Sequence, residues 1–309
     1  MNQIKPSEVL KQVADAVPES CRENIVIIGS LAAGYAFFGD KQDMAVRTKD
    51  IDCLLKPFQL AVERGQAIAR ELYDAGWKPK KGGSFDEPGD SNTGDRDLPA
   101  VRLYPPGMDQ DAEDAWFIEL LTEPESPEIQ ERSFTRIVID EGHFGLPSFR
   151  FLAVTAYLPE KIDALGIYYA RPPMMALANL LEHQEIKPDR MSSPIAGRAI
   201  KRSNKDLGRV LALAYLAQER GLDDFRTWGL DWYSALERSF PNEYQQLALH
   251  ARAGLEALMQ SDEDFEEAYH TCANGLLASL SVEMEDLREV AARIVGDAIG
   301  QLEELASEV

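Results

Sequence analysis

Every clear strand signal in this chain falls in its first half, and from about Phe149 the pattern is helical to the end. Strands followed by helices, rather than alternating with them, do not build one doubly wound sheet. The expected fold class is therefore α+β. Residues 1–148 would form a mixed sheet with flanking helices, and residues 149–309 an all-α helical domain. A length of 309 residues is enough for one or two domains with real cores. The strand candidates are Ile25-Val26-Ile27-Ile28, Asp50 to Leu55, Ala100 to Tyr104, Trp116 to Leu121 and Phe134 to Ile139. Residues 1–17 read as an amphipathic helix. A second helix runs from Leu31 to Phe38 with Ser30 placed to cap it, and a third from Pro57 to about Ala75, stopped by Gly76. Later helices open at Pro172-Pro173, at Lys205 after Asn204, and near Leu222, Pro241 and Ser261. The last, from Ser281, sets Val282, Leu287, Val290, Ile294, Ile299 and Leu302 mostly on one face. That stripe suits either intramolecular packing or a dimer or partner surface.

Acids number 53 and bases 32, a formal charge of −21. A general nucleic-acid coat protein carries a basic face, so that class is set aside. The acid excess sits in residues 83–160 and 222–309. Residues 161–221 are net basic, with Lys187, Arg190, Arg198, Lys201, Arg202, Lys205 and Arg209 against Asp189 and Asp206. Such a patch is a resting place for phosphates or a solvated helix face with a loop. No apolar run is long enough to cross a membrane, and the first twenty residues lack the apolar core of a signal peptide. Cys21, Cys53 and Cys272 are scattered and odd in number. The expectation is a cytoplasmic chain with free thiols and no membrane partner. Residues 82–98, GGSFDEPGDSNTGDRDL, read as a long loop of the kind that is either mobile or functional.

Three features carry chemistry when taken together. A strand runs through Gly29-Ser30 into a helix, where a glycine permits close approach to the backbone and the first helical amides favour an anion. Asp50-Ile51-Asp52 heads a strand, so its two carboxylates share one face about 6.5 Å apart. Glu119 lies within the apolar run Trp116 to Leu121, where an acid needs a partner or a metal, unless the strand is an edge and Glu119 faces water. Read jointly, Asp50, Asp52 and Glu119 would hold two Mg²⁺ ions. Gly29 and Ser30 would cradle the β and γ phosphates of a nucleoside triphosphate. Read separately, the acids are ordinary exposed side chains at a strand start. No Walker loop and no GxGxxG fingerprint occurs.

IIGSLAAGYAFF followed by VRTKDIDCLL resembles the nucleotidyltransferase superfamily (the DNA polymerase β-like fold), marked by hG[GS], Dh[DE]h and a third acid on a later strand. Arg47-Thr48-Lys49-Asp50-Ile51-Asp52 is similar to the abortive-infection nucleotidyltransferase toxins of type IV toxin–antitoxin systems. In that group a Lys-Asp pair opens a helix of the C-terminal part, as Asn204-Lys205-Asp206 does here. The resemblance implies a nucleotidyltransferase-like mixed sheet and transfer of a nucleoside monophosphate from a triphosphate to a hydroxyl acceptor. The acceptor would be RNA such as a tRNA 3′ end, a protein or a small molecule, and an antitoxin-like partner is implied as well. Arg47, Lys49 and Lys205 would touch the nucleotide. Asp206 would orient it or act as a base beside the metal-holding Asp50, Asp52 and Glu119. The chain departs from the pattern in a longer stretch between Ser30 and Asp50, in Asn179 where that group often has lysine, and in Arg209 where it often repeats an acid.

Other residues read as structural. His143, His183, His250 and His270 are isolated, and no HxxxH, HExxH or CxxC spacing points to zinc. Cys53 has no adjacent base and reads as a small buried residue. Trp228 and Trp232, four apart on a helix, read as core, and Tyr168-Tyr169 as packing. Beside the enzyme stand two other expectations. One is a non-catalytic nucleotide- or partner-binding protein on a degenerate version of the fold. The other is a chain whose acid pair is incidental and whose helical half binds a partner.

Overall fold

A computed structural model of the chain describes residues 3–39, 46–80, 87–112, 115–129, 131–185, 191, 194–195, 197–222 and 224–308. Lys187, Arg190, the first part of the 82–98 loop and most of the connection after Gly39 lie outside the described residues. The chain is mixed α+β and divides into two compact units, Met1–Ala170 and Arg171–Val309.

The first unit holds strands β1 (Gln3–Ile4), β2 (Ile25–Ile28), β3 (Val46–Arg47), β4 (Asp50–Leu55), β5 (Lys78–Pro79), β6 (Arg102–Tyr104), β7 (Phe117–Thr122), β8 (Ser133–Ile139), β9 (Gly142–Ser148), β10 (Glu160–Ile162) and β11 (Ile167–Tyr169). Its helices are α1 (Pro6–Ala16), α2 (Glu19–Arg22), α3 (Gly29–Phe38), α4 (Phe58–Asp74) and α5 (Leu152–Thr155). Seven strands form one mixed sheet in the order β10-β11-β2-β4-β7-β6-β5. The β-branched run of β2 and the strands β4 and β7 lie at its centre, buried except where Asp50 and Asp52 head β4. On one face Ile51, Cys53, Leu55, Ile118 and Leu120 are buried. Helix α4 lies along that side: a Cβ on Gly65 would come within 3.0 Å of Leu146 and 3.3 Å of Leu55.

The strand read at Phe134 to Ile139 is present as β8, and it pairs antiparallel with β9 as a hairpin apart from the main sheet. The segment GHFGLPS contains two glycines and a proline, poor strand formers, and its register with β8, with bridges to Gly89 and Ala100, makes it a strand. The chain does not turn wholly helical at Phe149. After the short α5, β10 and β11 form a hairpin closed at Gly166 (φ +72°), and β11 docks parallel to β2. The units therefore divide after Ala170 rather than after residue 148.

The second unit comprises α6 (Pro172–Glu185), α7 (Arg202–Glu219), α8 (Phe225–Ser239), α9 (Tyr244–Gln260), α10 (Asp262–Asn274), α11 (Met284–Arg293), a π-helical turn (Ile294–Ile299) and α12 (Gly300–Ser307). Trp228 and Trp232 are core, with the Trp232 indole donating to the Pro173 carbonyl at 2.8 Å. The apolar stripe from Leu287 to Leu302 is fully buried within this unit, so its packing is intramolecular. Glu283 and Asp286 form a capping box that starts α11. Among the described residues no helix is long and apolar enough to cross a membrane.

Candidate active site

Strand β4 pairs parallel with β7, setting Asp50 opposite Phe117 and Asp52 opposite Glu119. Residues paired across neighbouring strands share a face and stand about 4.8 Å apart. Asp50, Asp52 and Glu119 therefore lie on one side of the sheet, the acids in two adjacent strands. On the other flank β2 pairs antiparallel with β4, Ile28 opposite Asp52. The chain leaves β2 at Gly29, whose φ of +73° suits glycine, and a Cβ there would stand 3.0 Å from Asp52 Oδ2. The strand–glycine turn and the acid pair thus form one locus. Gly29 and Ser30 form the first turn of α3. Ser30 does not cap the helix; Ile28 is the N-cap and no side-chain cap bond is made. Asp50 is exposed, with Oδ1 accepting from Thr48 Oγ1 at 2.9 Å, and Asp52 is half-buried.

Arg47 lies in β3, paired with β1, and its Nε is buried without a hydrogen-bond partner. Lys49 is exposed, and its carbonyl accepts from the Phe117 amide at 2.9 Å, extending the β4–β7 ladder.

Glu119 is 8% exposed and already has a partner, since Arg102 Nη2 donates to its Oε1 at 2.8 Å. Arg102 faces Glu119 directly across the antiparallel β6–β7 pair. The Lys80 amide donates to the Arg102 carbonyl at 2.9 Å, continuing the β5–β6 register. One row across four neighbouring segments is therefore Lys80, Arg102, Glu119, Asp52. Beside it the Lys80 ammonium sits 4.0 Å above the Phe117 ring, and Phe117 packs edge-on against Tyr104. Burial pulls on the Arg102 guanidinium toward deprotonation. The Glu119 hydrogen bond and the carboxylates of Glu119, Asp50 and Asp52 outweigh it and leave its pKa above the ordinary arginine value. Burial, followed by the nearby Arg102, holds the Lys80 ammonium below its usual range in spite of Glu119 and Asp50.

No motif in the sequence points to Arg102 or Lys80. Arg102 sits within the apolar run Val101 to Tyr104. A base inside an apolar strand needs a partner as much as an acid does, which is the signal the sequence carries for Arg102.

The Cys53 thiol is buried behind this face, its pKa pushed well up by burial and then by Asp52, so it is no nucleophile.

The chemistry of the acids suits a hard divalent cation. Two strand carboxylates share a face, and the space that a Gly29 side chain would fill is left open beside Asp52. Among the described residues no three His, Cys, Asp or Glu side chains stand in a group that could hold a metal ion, and Glu119 is held by Arg102.

Lys205 and Asp206 belong to the helical unit. They lie inside the first turns of α7, which begins at Arg202 rather than at Lys205. Asp206 is 5% exposed; burial raises its pKa, against the pull of Arg209, Lys205, Arg202 and His183. Arg209 Nη1 lies 3.5 Å from its Oδ1. Part of the basic stretch around it is matched by α10. Arg198 pairs with Glu266 at 2.8 Å, Lys201 with Asp264 at 2.6 Å, and the buried Asn204 amide donates to Asp264 and Glu267. Arg198 and Lys201 thus pair with acids of a neighbouring helix, a third arrangement beside the phosphate site and the solvated face read from the sequence. Asn179 folds onto its own helix, donating to the Met175 carbonyl at 2.6 Å. The His183 ring is seated against Gly254, with Nδ1 2.8 Å from the Leu180 carbonyl.

No family model, no curated protein and no solved structure matches the chain.

Proposed function

We propose that the chain is a Mg²⁺-dependent nucleotidyltransferase that moves a nucleoside monophosphate from a triphosphate to a hydroxyl on RNA, protein or a small molecule. The observation that carries this reading is the register placing Asp52 beside Glu119 and against Gly29, with Asp50 on the same face. Asp50 and Asp52 would hold the metal, and Glu119 would join them on release from Arg102. The ions, when bound, lower the pKa of an acceptor hydroxyl and neutralise charge developing on the phosphates. The chain's own residues do the rest by positioning. Gly29 and Ser30 offer first-turn amides and a hydroxyl to the phosphate oxygens. Arg47 and Lys49, just ahead of the acid strand, supply positive charge to the nucleotide. The burial of Asp206 favours a role in orienting the cations of α7 over proton abstraction from an acceptor.

The test is incorporation of label from each of four α-labelled triphosphates, with total RNA and lysate as acceptors. Asp50→Ala and Asp52→Ala are each expected to lower incorporation by more than about a hundredfold, beyond the usual effect of an outer-shell change. Incorporation that persists at the wild-type rate in both variants refutes the assignment.

A second reading is favoured by the Arg102–Glu119 pair, which neutralises the third acid without a metal. On that reading the chain binds a nucleotide or a partner without turnover. It predicts nucleotide binding with no incorporation, and binding indifferent to Asp50→Ala.

A further inference from the structure

The row Lys80, Arg102, Glu119, Asp52 brings two cations and two acids side by side on one sheet face. The acids lie toward β4 and the Gly29 turn, the cations toward the sheet edge at β5. Glu119 is almost wholly buried, so its charge needs an opposite charge in contact with it. Arg102 is that contact, through a single Nη2 donor, although its guanidinium has five N–H groups. Its Nε is buried and has no hydrogen-bond partner, a donor left over in a group that prefers two-point binding of carboxylate or phosphate. The arginine side chain keeps 41% of its surface exposed, while Glu119 keeps 10%. Of the two, Arg102 is the one with room to change partners.

We propose that Arg102 is a positioning residue that holds Glu119 in the metal-free protein and exchanges it for the polyphosphate when a divalent cation and a nucleoside triphosphate arrive together. The inference rests on the metal-binding reading of Asp50, Asp52 and Glu119 given above. Its physical basis is competition between two positive charges for one buried carboxylate. A divalent ion at the aspartates attracts Glu119 and repels the guanidinium. The triphosphate that accompanies the ion offers that guanidinium a better acceptor than water, and Lys80, next in the row, faces the same polyanion. Arg102 thereby offsets the charge of Glu119 in the empty site, and a bare ion binds against its opposition.

The experiment titrates Mn²⁺ into the full chain by calorimetry, without and with inorganic tripolyphosphate, and follows thermal unfolding alongside. Asp52→Ala is expected to abolish Mn²⁺ binding. Arg102→Gln is expected to bind Mn²⁺ alone about tenfold more tightly than wild type, since a neighbouring positive charge is gone. It should also bind tripolyphosphate in the presence of Mn²⁺ several-fold more weakly, and Mn²⁺ should restore a melting temperature that is lowered without metal. Arg102→Lys keeps the charge and guards against a failure of the glutamine variant to fold; its Mn²⁺ affinity should stay within about threefold of wild type. A purely structural Arg102 would lower the melting temperature with no gain in metal affinity, and that result overturns the inference while leaving the metal site intact. If wild type binds no Mn²⁺ and Asp52→Ala changes nothing, the metal reading fails and the inference with it.

Discussion

Asp206 is a buried carboxylate, and its burial outweighs the pull of Arg209, Lys205, Arg202 and His183. Its folded pKa lies above the unfolded value, so the folded state binds the extra proton. The contribution of this group to stability is fully present below the unfolded pKa and is lost as pH rises through the folded one. Asp206→Asn removes that loss. The variant should be more stable than wild type at neutral pH and converge with it toward acid, as read by urea unfolding across a pH series. An asparagine variant that is less stable than wild type at neutral pH, with the gap closing toward acid, would show that the Arg209 pair, not burial, sets the behaviour of this residue. The same tension, a charge enclosed and matched, recurs at Glu119. There the partner is fixed by one register pair, Arg102 across β6 and β7, and the competing aspartate by another, Asp52 across β4 and β7. Four residues drawn from Asp52 to Glu119 become neighbours only because three short ladders are in phase.

Helix α7 packs against α10 so closely that a Cβ on Gly208 would lie 2.7 Å from the Ala268 carbonyl oxygen. The Cys272 thiol donates to the Gly208 carbonyl at 3.0 Å from the same helix, and burial lifts its pKa to about 12. A backbone oxygen cannot swing aside as a side chain can. Gly208→Ala should therefore destabilise the helical unit by about 1–3 kcal/mol, the usual cost of overpacking. Denaturant unfolding measures it, and an unchanged midpoint would contradict this helix contact. The acids of α10 explain the matching basic start of α7: Arg198, Lys201 and Asn204 all meet Asp264, Glu266 or Glu267. In the sheet unit, β9 shows the opposite situation, an element with weak propensity. Two glycines and a proline disguise it in the sequence, and pairing from Ser133–Ser148 to Ile139–Gly142 supplies what the residues lack.

At the scale of the whole molecule, the boundary after Ala170 has a direct consequence. Strand β11 pairs with β2, and β2 leads into the Gly29 turn. A fragment ending at residue 148 would strip that neighbour and leave the apolar Ile25–Ile28 as a bare edge, an aggregation hazard. A fragment of residues 1–170 should be monodisperse by size-exclusion chromatography with native-like circular dichroism, whereas residues 1–148 should aggregate. Equal behaviour of the two would deny β11 its place in the sheet. Much of this organisation is legible locally. The runs Ile25-Val26-Ile27-Ile28 and Asp50 to Leu55, the α4 helix, and the helical second half are each written in a few consecutive residues, because burial on both faces or on one helical face dictates local composition. The alternation in Asp50-Ile51-Asp52 likewise commits two acids to one side of a strand, since side chains two apart must share a face. The order of the strands, the parallel docking of β11, the phase that sets Asp52 beside Glu119, and the pairing of Glu119 with Arg102 are of another kind. They depend on which segments meet and in what register, and a shift of one residue would send each charge to the opposite face. No stretch of residues carries that information by itself, because the free energy that selects the register comes from contacts between segments far apart in the chain.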